Sequence, residues 1–134
     1  MKIRFVAGKA PGTHGRAYAR HDFPDLTKNV LRGFVARSDD AFMEVMGAPP
    51  PIVDVHAMTP AEVRRDEAIG GGDGYMHIDR TGRIRVAIRP DVDPYRACEV
   101  WVEEQVHALA PELSEHVVRT QYVPEITRKI LNGS

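Results

Sequence analysis

Two glutamates and two histidines are the residues of this sequence whose types and spacing best suit chemistry. Glu103, Glu104 and His107 lie within five positions, and His116 follows after a proline at position 111. In a helix, residues i and i+4 share a face, so Glu103 and His107 should lie one turn apart on the same side. Three groups that converge from a helix and the segment after it can bind zinc. The spacing therefore predicts Glu103, His107 and His116 as metal ligands. Glu104 is the residue placed to act as a general base on metal-bound water.

A structural explanation of the same residues stays open. A helix that carries Glu-Glu-Gln near its end can simply present a polar stripe to solvent. His107 is then a surface or hydrogen-bonded histidine rather than a ligand. Exposure of Glu103 and Glu104 would favour this interpretation.

The helix that must position these residues has clear boundaries in the sequence. Asp93 can cap its first turn, and Pro94 suits the first helical position. Apolar residues form adjoining rows along it, which predicts a wide buried face: Ala97, Trp101, Ala108 and Cys98, Val102, Leu109. Pro111 ends the pattern. We therefore predict a central helix at about residues 94–110.

A β-hairpin is predicted directly before this helix. Two alternating segments, 75–79 and 83–89, are joined by a turn in which Gly82 can supply a positive φ angle. Alternation places Tyr75 and His77 on one face together with arginines of the second strand, Arg83 and Arg85. We take Tyr75, His77, Arg83 and Arg85 as candidate binding residues, with an ordinary solvated face as the alternative.

The remaining pattern predicts an α+β fold. A strand at residues 2–7, a helical region from Asp25 to Gly47, a strand at 52–58 and a capping box at Thr59–Glu62 precede the hairpin. A last helix follows Ser114. We expect a small, mostly antiparallel sheet of three to four strands packed on helices. The whole chain, 1–134, is predicted to form a single domain, with residues 1–24 as a basic strand and loop arm and 25–134 as the body.

Charge is distributed unevenly along the chain. Residues 1–37 carry eight Lys or Arg against two Asp, whereas the rest carries ten basic and seventeen acidic residues. A basic arm on an acidic body can contact nucleic acid or an acidic protein neighbour, or can be a solvated surface. Cys98 is the single cysteine, which excludes an internal disulfide. No signal peptide or membrane span is recognisable, so we expect a cytoplasmic protein, or one assembled there into a larger particle.

The order of these elements and the residues around position 104 resemble the zincin metallopeptidases of bacteria and their phages. The resemblance covers about residues 49–131 and is specific around 101–116. In that family a hairpin precedes a helix that carries His-Glu-x-x-His, often followed by Ala-Leu, with a third zinc ligand downstream. The matching segment here reads Glu-Glu-Gln-Val-His-Ala-Leu from Glu103 to Leu109. The resemblance implies a zincin-like fold, with Glu104 in the place of the base and His107 and His116 as ligands.

Glu103 is the departure from the family pattern, because it replaces the first histidine ligand. A carboxylate can bind zinc, but it adds negative charge beside Glu104 and lowers the Lewis acidity of the metal. We therefore favour a degenerate, non-catalytic zincin-like protein that acts as a structural or adaptor subunit of a larger assembly, such as a phage particle. That protein needs a protein partner or a second copy of itself, and no zinc. The alternative is an active zinc-dependent metallopeptidase with an unusual Glu-Glu-x-x-His site. The third hypothesis is nucleic-acid contact through residues 1–37.

Overall fold

The computed structural model describes residues 1–7 and 22–133 of the chain. The strands and helices follow in this order: β1 (Arg4–Phe5), α1 (Asp25–Ala36), α2 (Asp39–Met46), β2 (Asp54–Ala57), α3 (Pro60–Ala68), β3 (Gly74–Ile78), β4 (Ile84–Ile88), α4 (Pro94–Leu109), α5 (Glu115–Val117), a π-helix (Val118–Tyr122) and α6 (Val123–Leu131). The loop of the predicted basic arm, residues 8–21, lies outside the described residues.

The described strands form one sheet in the order β1-β2-β4-β3. β1 pairs with β2 in parallel, β2 pairs with β4 in parallel, and β3 pairs with β4 antiparallel. Four strands and several helices agree with the predicted α+β class. The prediction of a mostly antiparallel sheet is wrong, because only the β3–β4 hairpin is antiparallel. Parallel neighbours need a crossover connection, which is usually helical. Helices α1 and α2 lie between β1 and β2, and α3 lies between β2 and the hairpin that contains β4.

β1 shows that the start of the predicted arm belongs to the sheet. The Arg4 guanidinium donates two hydrogen bonds to the Asp54 carboxylate of β2, at 2.8 and 3.1 Å. Phe5 packs edge-on against Phe23, and the Arg32 guanidinium lies over the Phe5 ring, 4.9 Å from its centroid. Arg4, which belongs to the described part of the arm, and Arg32 of α1 therefore both serve the fold.

The predicted hairpin is confirmed in register and in the division of its two faces. Met76 pairs with Val86 and Ile78 with Ile84, while Tyr75 pairs with Ala87 and His77 with Arg85. Gly82 has the positive φ angle, +83°, that the turn requires. One face of the sheet is therefore apolar and the other polar, as the alternation predicts.

The core lies between the apolar sheet face and the helices. Trp101 of α4 is fully buried and packs edge-on against Phe34 and Phe42, with ring centroids 6.2 and 5.7 Å away. Gly74 lies so close to α4 that an added Cβ would stand 2.2 Å from a Val100 methyl carbon. The helix and the edge strand are therefore in close contact, which fixes the position of α4 under the hairpin.

A buried glutamine ties α4 to the segment that enters β2. The Gln105 side chain accepts a hydrogen bond from the Ile52 backbone N–H at 2.9 Å and donates one to the Ile52 carbonyl at 2.8 Å. Gln105 is fully buried, and Ile52 is also buried. The side-chain amide therefore pairs with this backbone as a neighbouring strand would, and it satisfies two groups that water cannot reach.

The ends of α4 match the prediction closely. The Asp93 carboxylate accepts a hydrogen bond from the Arg96 backbone N–H, and Pro94 is the first helical residue. After Leu109 the chain turns and re-enters helix at α5, where the Ser114 hydroxyl accepts from Val117 N–H. The π-helix then runs directly into α6, with Pro124 in its first turn. Within the described residues, no helix is both long and apolar enough to cross a lipid bilayer.

Candidate functional site

Three consecutive polar residues of α4 face protein rather than solvent. Glu103 is 4% exposed, Glu104 is 8% exposed and Gln105 is fully buried. Charged residues are rarely buried unless they are paired. The solvent-exposed stripe that the sequence also allowed is therefore not what this helix presents.

Glu103 and His107 come together as the i and i+4 spacing predicts, and Glu115 of α5 joins them. One ligand atom from each of these three residues lies within 4.8 Å of the other two. His107 Nε2 is buried 3.9 Å from Glu103 Oε1 and has no hydrogen-bond partner among the described residues. The structure thus groups two of the three predicted ligands and adds a carboxylate.

His116, the predicted third ligand, is not part of this group. It follows Glu115 directly in α5 and is exposed. Consecutive helical residues point about 100° apart around the axis, so Glu115 and His116 cannot both face α4. The turn after Pro111 brings the glutamate, not the histidine, towards Glu103.

A cation of the protein itself already binds the two carboxylates. The Arg119 guanidinium donates a hydrogen bond from Nε to Glu103 Oε1 at 2.6 Å, and its Nη2 lies 3.6 Å from Glu115 Oε2. The contact with Glu103 holds the pKa of Arg119 above its usual range. Arg119 lies in the π-helix, a rare conformation that is frequent at functional sites.

The glycine loop before β3 lies against the same guanidinium. A Cβ added to Gly72 would stand 2.3 Å from Arg119 Nη2, so a larger residue here would displace the guanidinium from its present position. Arg96 of α4 holds the loop with a hydrogen bond to Asp73 Oδ2 at 3.0 Å and another to the Gly72 carbonyl at 3.1 Å. The loop, Arg119 and α4 therefore enclose Glu103 together.

Glu104 lies beside this ion pair in a different environment. Burial raises the pKa of the Glu104 carboxyl to about 8, and the negative charges of Glu103 and Glu115 add to the effect. Its Oε2 is buried with no hydrogen-bond partner among the described residues. The carboxyl therefore holds its proton at neutral pH, whereas a general base must be ionised to accept one.

These residues do not fit the catalytic zinc of the zincin family well. Catalytic zinc sites commonly use three ligands with histidine prominent among them, but His107 is the one histidine of this cluster. Glu103 already accepts a charge-assisted hydrogen bond from Arg119, and such bonds are about twice as strong as neutral ones. A zinc ion would have to displace that guanidinium.

The predicted binding residues of the hairpin lie on the opposite, polar face of the sheet. Arg85 pairs with Asp79 at 3.4 Å and donates to the Ala7 carbonyl at 3.3 Å. Arg83 is exposed beside the turn. Asp79 organises that turn, because its carboxylate accepts a hydrogen bond from the Thr81 hydroxyl. This bond is the main cause that lowers the pKa of Asp79 to about 2.

Tyr75 and His77 belong to a second polar cluster on this face. The Tyr75 hydroxyl donates to Glu62 Oε2, and His56 Nε2 lies 3.2 Å from the same oxygen. Hydrogen bonds from His56 and from the Thr59 backbone offset burial and lower the pKa of Glu62. Burial lowers the pKa of His77, and the electrostatic effects of the nearby His56 and Arg85 lower it further. The four side chains of this cluster come from β2, α3 and β3.

Four residues of the two clusters were missed by the sequence interpretation. Glu115 and Arg119 are four residues apart, a spacing typical of helical ion pairs, and this signal could have been noticed. His56 and Glu62 carried a weaker signal: the capping box identified Glu62 only as a helix-start residue. Its second carboxylate oxygen is the one that contacts Tyr75.

Comparison of the chain with protein-family models, with curated proteins and with solved structures finds no match.

Proposed function

We propose that this chain is a non-catalytic protein with a zincin-like fold that acts as a structural or adaptor subunit of a larger assembly, such as a phage particle. In this proposal the active-site helix of the family is retained, but its metal is replaced by an internal ion pair. The fold assignment rests on the residue pattern around α4 and the hairpin before it.

The hydrogen bond between Arg119 and Glu103 carries the proposal. This bond is 2.6 Å long and joins the Arg119 guanidinium to the buried Glu103 carboxylate. Glu103 stands where the family has its first metal ligand. Removing Arg119 would leave the buried Glu103 carboxylate without its compensating charge, which is destabilising. Solvent that reaches the partly exposed guanidinium reduces this cost. The arginine therefore has a structural role that a metal ion would otherwise fill.

The enzymatic alternative is favoured by one observation. His107 Nε2 is buried without a hydrogen-bond partner among the described residues, and it lies within reach of two carboxylates. An ion at this point would satisfy it. The alternative is a zinc-dependent metallopeptidase in which Glu103, His107 and Glu115 bind the metal after Arg119 moves away.

Zinc binding that depends on His107 separates these two proposals. We expect the wild-type protein, purified without chelator, to carry no zinc at His107. The His107→Gln substitution should therefore leave its zinc content unchanged. Arg119→Met should raise zinc affinity at this cluster at least tenfold, because it frees both carboxylates while keeping an apolar side chain of similar length. Calorimetric titration and zinc-dependent melting temperature measure both effects.

Arg64→Met is the matched control, since Arg64 is an exposed arginine of α3 outside the cluster. It should bind zinc as the wild type does. Stoichiometric zinc in the wild type that is lost in His107→Gln, together with cleavage of a protein substrate, would replace our proposal with the enzymatic one.

An exposed apolar row beside the hairpin turn supports the proposal of a protein partner. Ile78 and Ile84 pair across the hairpin, and extending the register brings Val53 beside Ile84. All three are exposed, Ile78 by 66%. They adjoin a groove that Pro51, Ile52 and Ala108 also line. β3 is one of the two edge strands and contains no charged residue between Gly74 and Ile78, so it lacks the charges that keep edges from pairing.

Substitution of Ile78 by lysine tests this surface. Ile78→Lys places a charge on the row and is expected to abolish self-association or co-purification of a partner protein. Ile69→Lys is the control, because Ile69 is 75% exposed after α3 and does not belong to the row. Sedimentation velocity of the purified protein and mass spectrometry of co-purified proteins are the measurements. A wild-type protein that is strictly monomeric and binds no protein would count against the adaptor role.

Nucleic-acid contact through residues 1–37 remains the third proposal. Within the described residues, Arg4 and Lys28 of this segment are paired with Asp54 and Asp22. These pairs reduce the positive charge available to phosphates. Salt-dependent retention of the protein on DNA would support this proposal.

A further inference from the structure

The polar face of the sheet carries a cluster that the proposed function does not use. His56 of β2 and Tyr75 of β3 both pair with Ala87 of β4, so they lie on either side of a residue with a small side chain. His77 is two positions after Tyr75 on the same face. Glu62 approaches from α3 and contacts both His56 and Tyr75.

Glu62 fixes the orientation of the His56 ring. The carboxylate accepts from the Thr59 backbone N–H at 3.1 Å and from the Tyr75 hydroxyl, and His56 Nε2 lies 3.3 and 3.2 Å from its two oxygens. An ionised carboxylate only accepts hydrogen bonds, so Nε2 must be the donor. A histidine whose one nitrogen donates to a carboxylate is the arrangement that metal sites use to orient a ligand.

The other nitrogen of His56 has no partner. Nδ1 is buried and makes no hydrogen bond with any described residue, while His56 as a whole is 2% exposed. With the proton on Nε2, Nδ1 presents a lone pair. A buried acceptor that is left unpaired destabilises the folded state, so a bound group that satisfies it would stabilise the protein.

His77 is the nearest second imidazole. Its ring lies perpendicular to that of His56, at 87°, with centroids 5.7 Å apart. Two imidazoles that bind one ion through bonds of about 2 Å have centroids roughly 5–6 Å apart, so the distance between these two edge-to-face rings permits a shared ion. His77 is half-buried, which opens the cluster to solvent on its side. Glu62 contributes a negative charge, and the nearby Arg85 is compensated by Asp79.

We propose that His56 and His77 bind a divalent transition-metal ion, of the class that prefers imidazole ligands, in a site separate from the Glu103 cluster. Imidazole suits zinc, copper and nickel. Glu62 orients His56 from behind, and water completes the coordination on the open side of His77. This site does not depend on the proposed function of α4.

Copper titration followed by electron paramagnetic resonance tests the site. We expect one Cu²⁺ per chain with two imidazole nitrogens in its spectrum. His77→Gln should lower copper affinity at least tenfold and reduce the nitrogen count to one. Glu62→Gln should lower affinity by about 10–100-fold, the effect typical of losing an orienting carboxylate. His77 is half-buried, so its substitution leaves the fold intact, which circular dichroism checks.

His107→Gln is the control for the other cluster and should leave copper binding unchanged. A combined His14→Gln and His21→Gln variant controls for the histidines outside the described residues. The proposal is overturned if the chain binds no copper, if His77→Gln binds it as tightly as the wild type, or if either control removes the signal. Because these readouts do not involve zinc at His107, failure here leaves the proposed function untouched.

Discussion

Glu104→Gln is expected to raise the free energy of unfolding by a few kcal/mol at about pH 9 and to leave it almost unchanged near pH 4. Glutamine has the shape of the protonated carboxyl that the folded state prefers. The substitution should therefore remove the cost of ionising a buried group that has an unpaired oxygen. Urea denaturation across this pH range measures the difference.

The direction follows from the pKa of Glu104, which is about 8 in the folded protein against an ordinary value of 4.5. The folded state therefore holds the proton more tightly than the unfolded state. Below about pH 4.5 both states are protonated and the group costs nothing. As pH rises from there to about 8, the unfolded state ionises first and stability falls. Above about pH 8 the whole cost is present.

Glu112→Gln is the matched control, because Glu112 is exposed in the turn after α4. It should shift stability by less than about 0.5 kcal/mol at every pH. If Glu104→Gln and the wild type lose stability in parallel between pH 5 and pH 9, Glu104 is not the buried protonated carboxyl that we describe.

The second large effect is expected for Gln105→Leu, which should lower the free energy of unfolding by about 2–6 kcal/mol. Leucine has a similar volume, so the loss comes from hydrogen bonding rather than packing. It leaves both the N–H and the carbonyl of Ile52 buried and unpaired, at about 1–3 kcal/mol each.

Urea denaturation at neutral pH measures this effect, and Gln121→Leu is its control. Gln121 is exposed in the π-helix and should tolerate leucine within about 0.5 kcal/mol. A loss below about 1 kcal/mol for Gln105→Leu would mean that water or another group replaces the amide at Ile52.

The local elements could be predicted because their signals lie within a few residues. Asp93 and Pro94 mark the start of α4, and both halves of the capping box at Thr59 and Glu62 form as expected. The alternation around Gly82 gives the hairpin register directly. Each of these patterns acts through neighbours in the chain, so the sequence carries them explicitly.

The direction of strand pairing could not be read in the same way. An alternating segment such as β2 shows which residues share a face, but not which strand lies beside it. β2 pairs with β1 and β4 because helices bring them together, and that depends on the whole core. The predicted zincin-like fold therefore remains a proposal, whereas the four-stranded sheet is observed.

Half of the candidate site was predictable because, like the hairpin and the start of α4, it depends on residues that are close in the sequence. Glu103 and His107 belong to one regular helix, where the i and i+4 rule applies. Glu115 and Arg119 reach Glu103 only after a turn and through a π-helix, whose geometry the spacing of residues does not reveal. Ordinary helical periodicity therefore could not establish Arg119 as the partner of Glu103.

The pairing of β1 with β2 has a consequence for the rate of folding. Arg4 and its partner Asp54 are 50 residues apart, whereas Glu103 and Arg119 are 16 apart and His56 and Glu62 are 6 apart. Contacts between distant segments must first close a long loop, which costs entropy and slows folding. Both polar clusters can thus assemble from nearby segments early, while the N-terminal strand closes the sheet last.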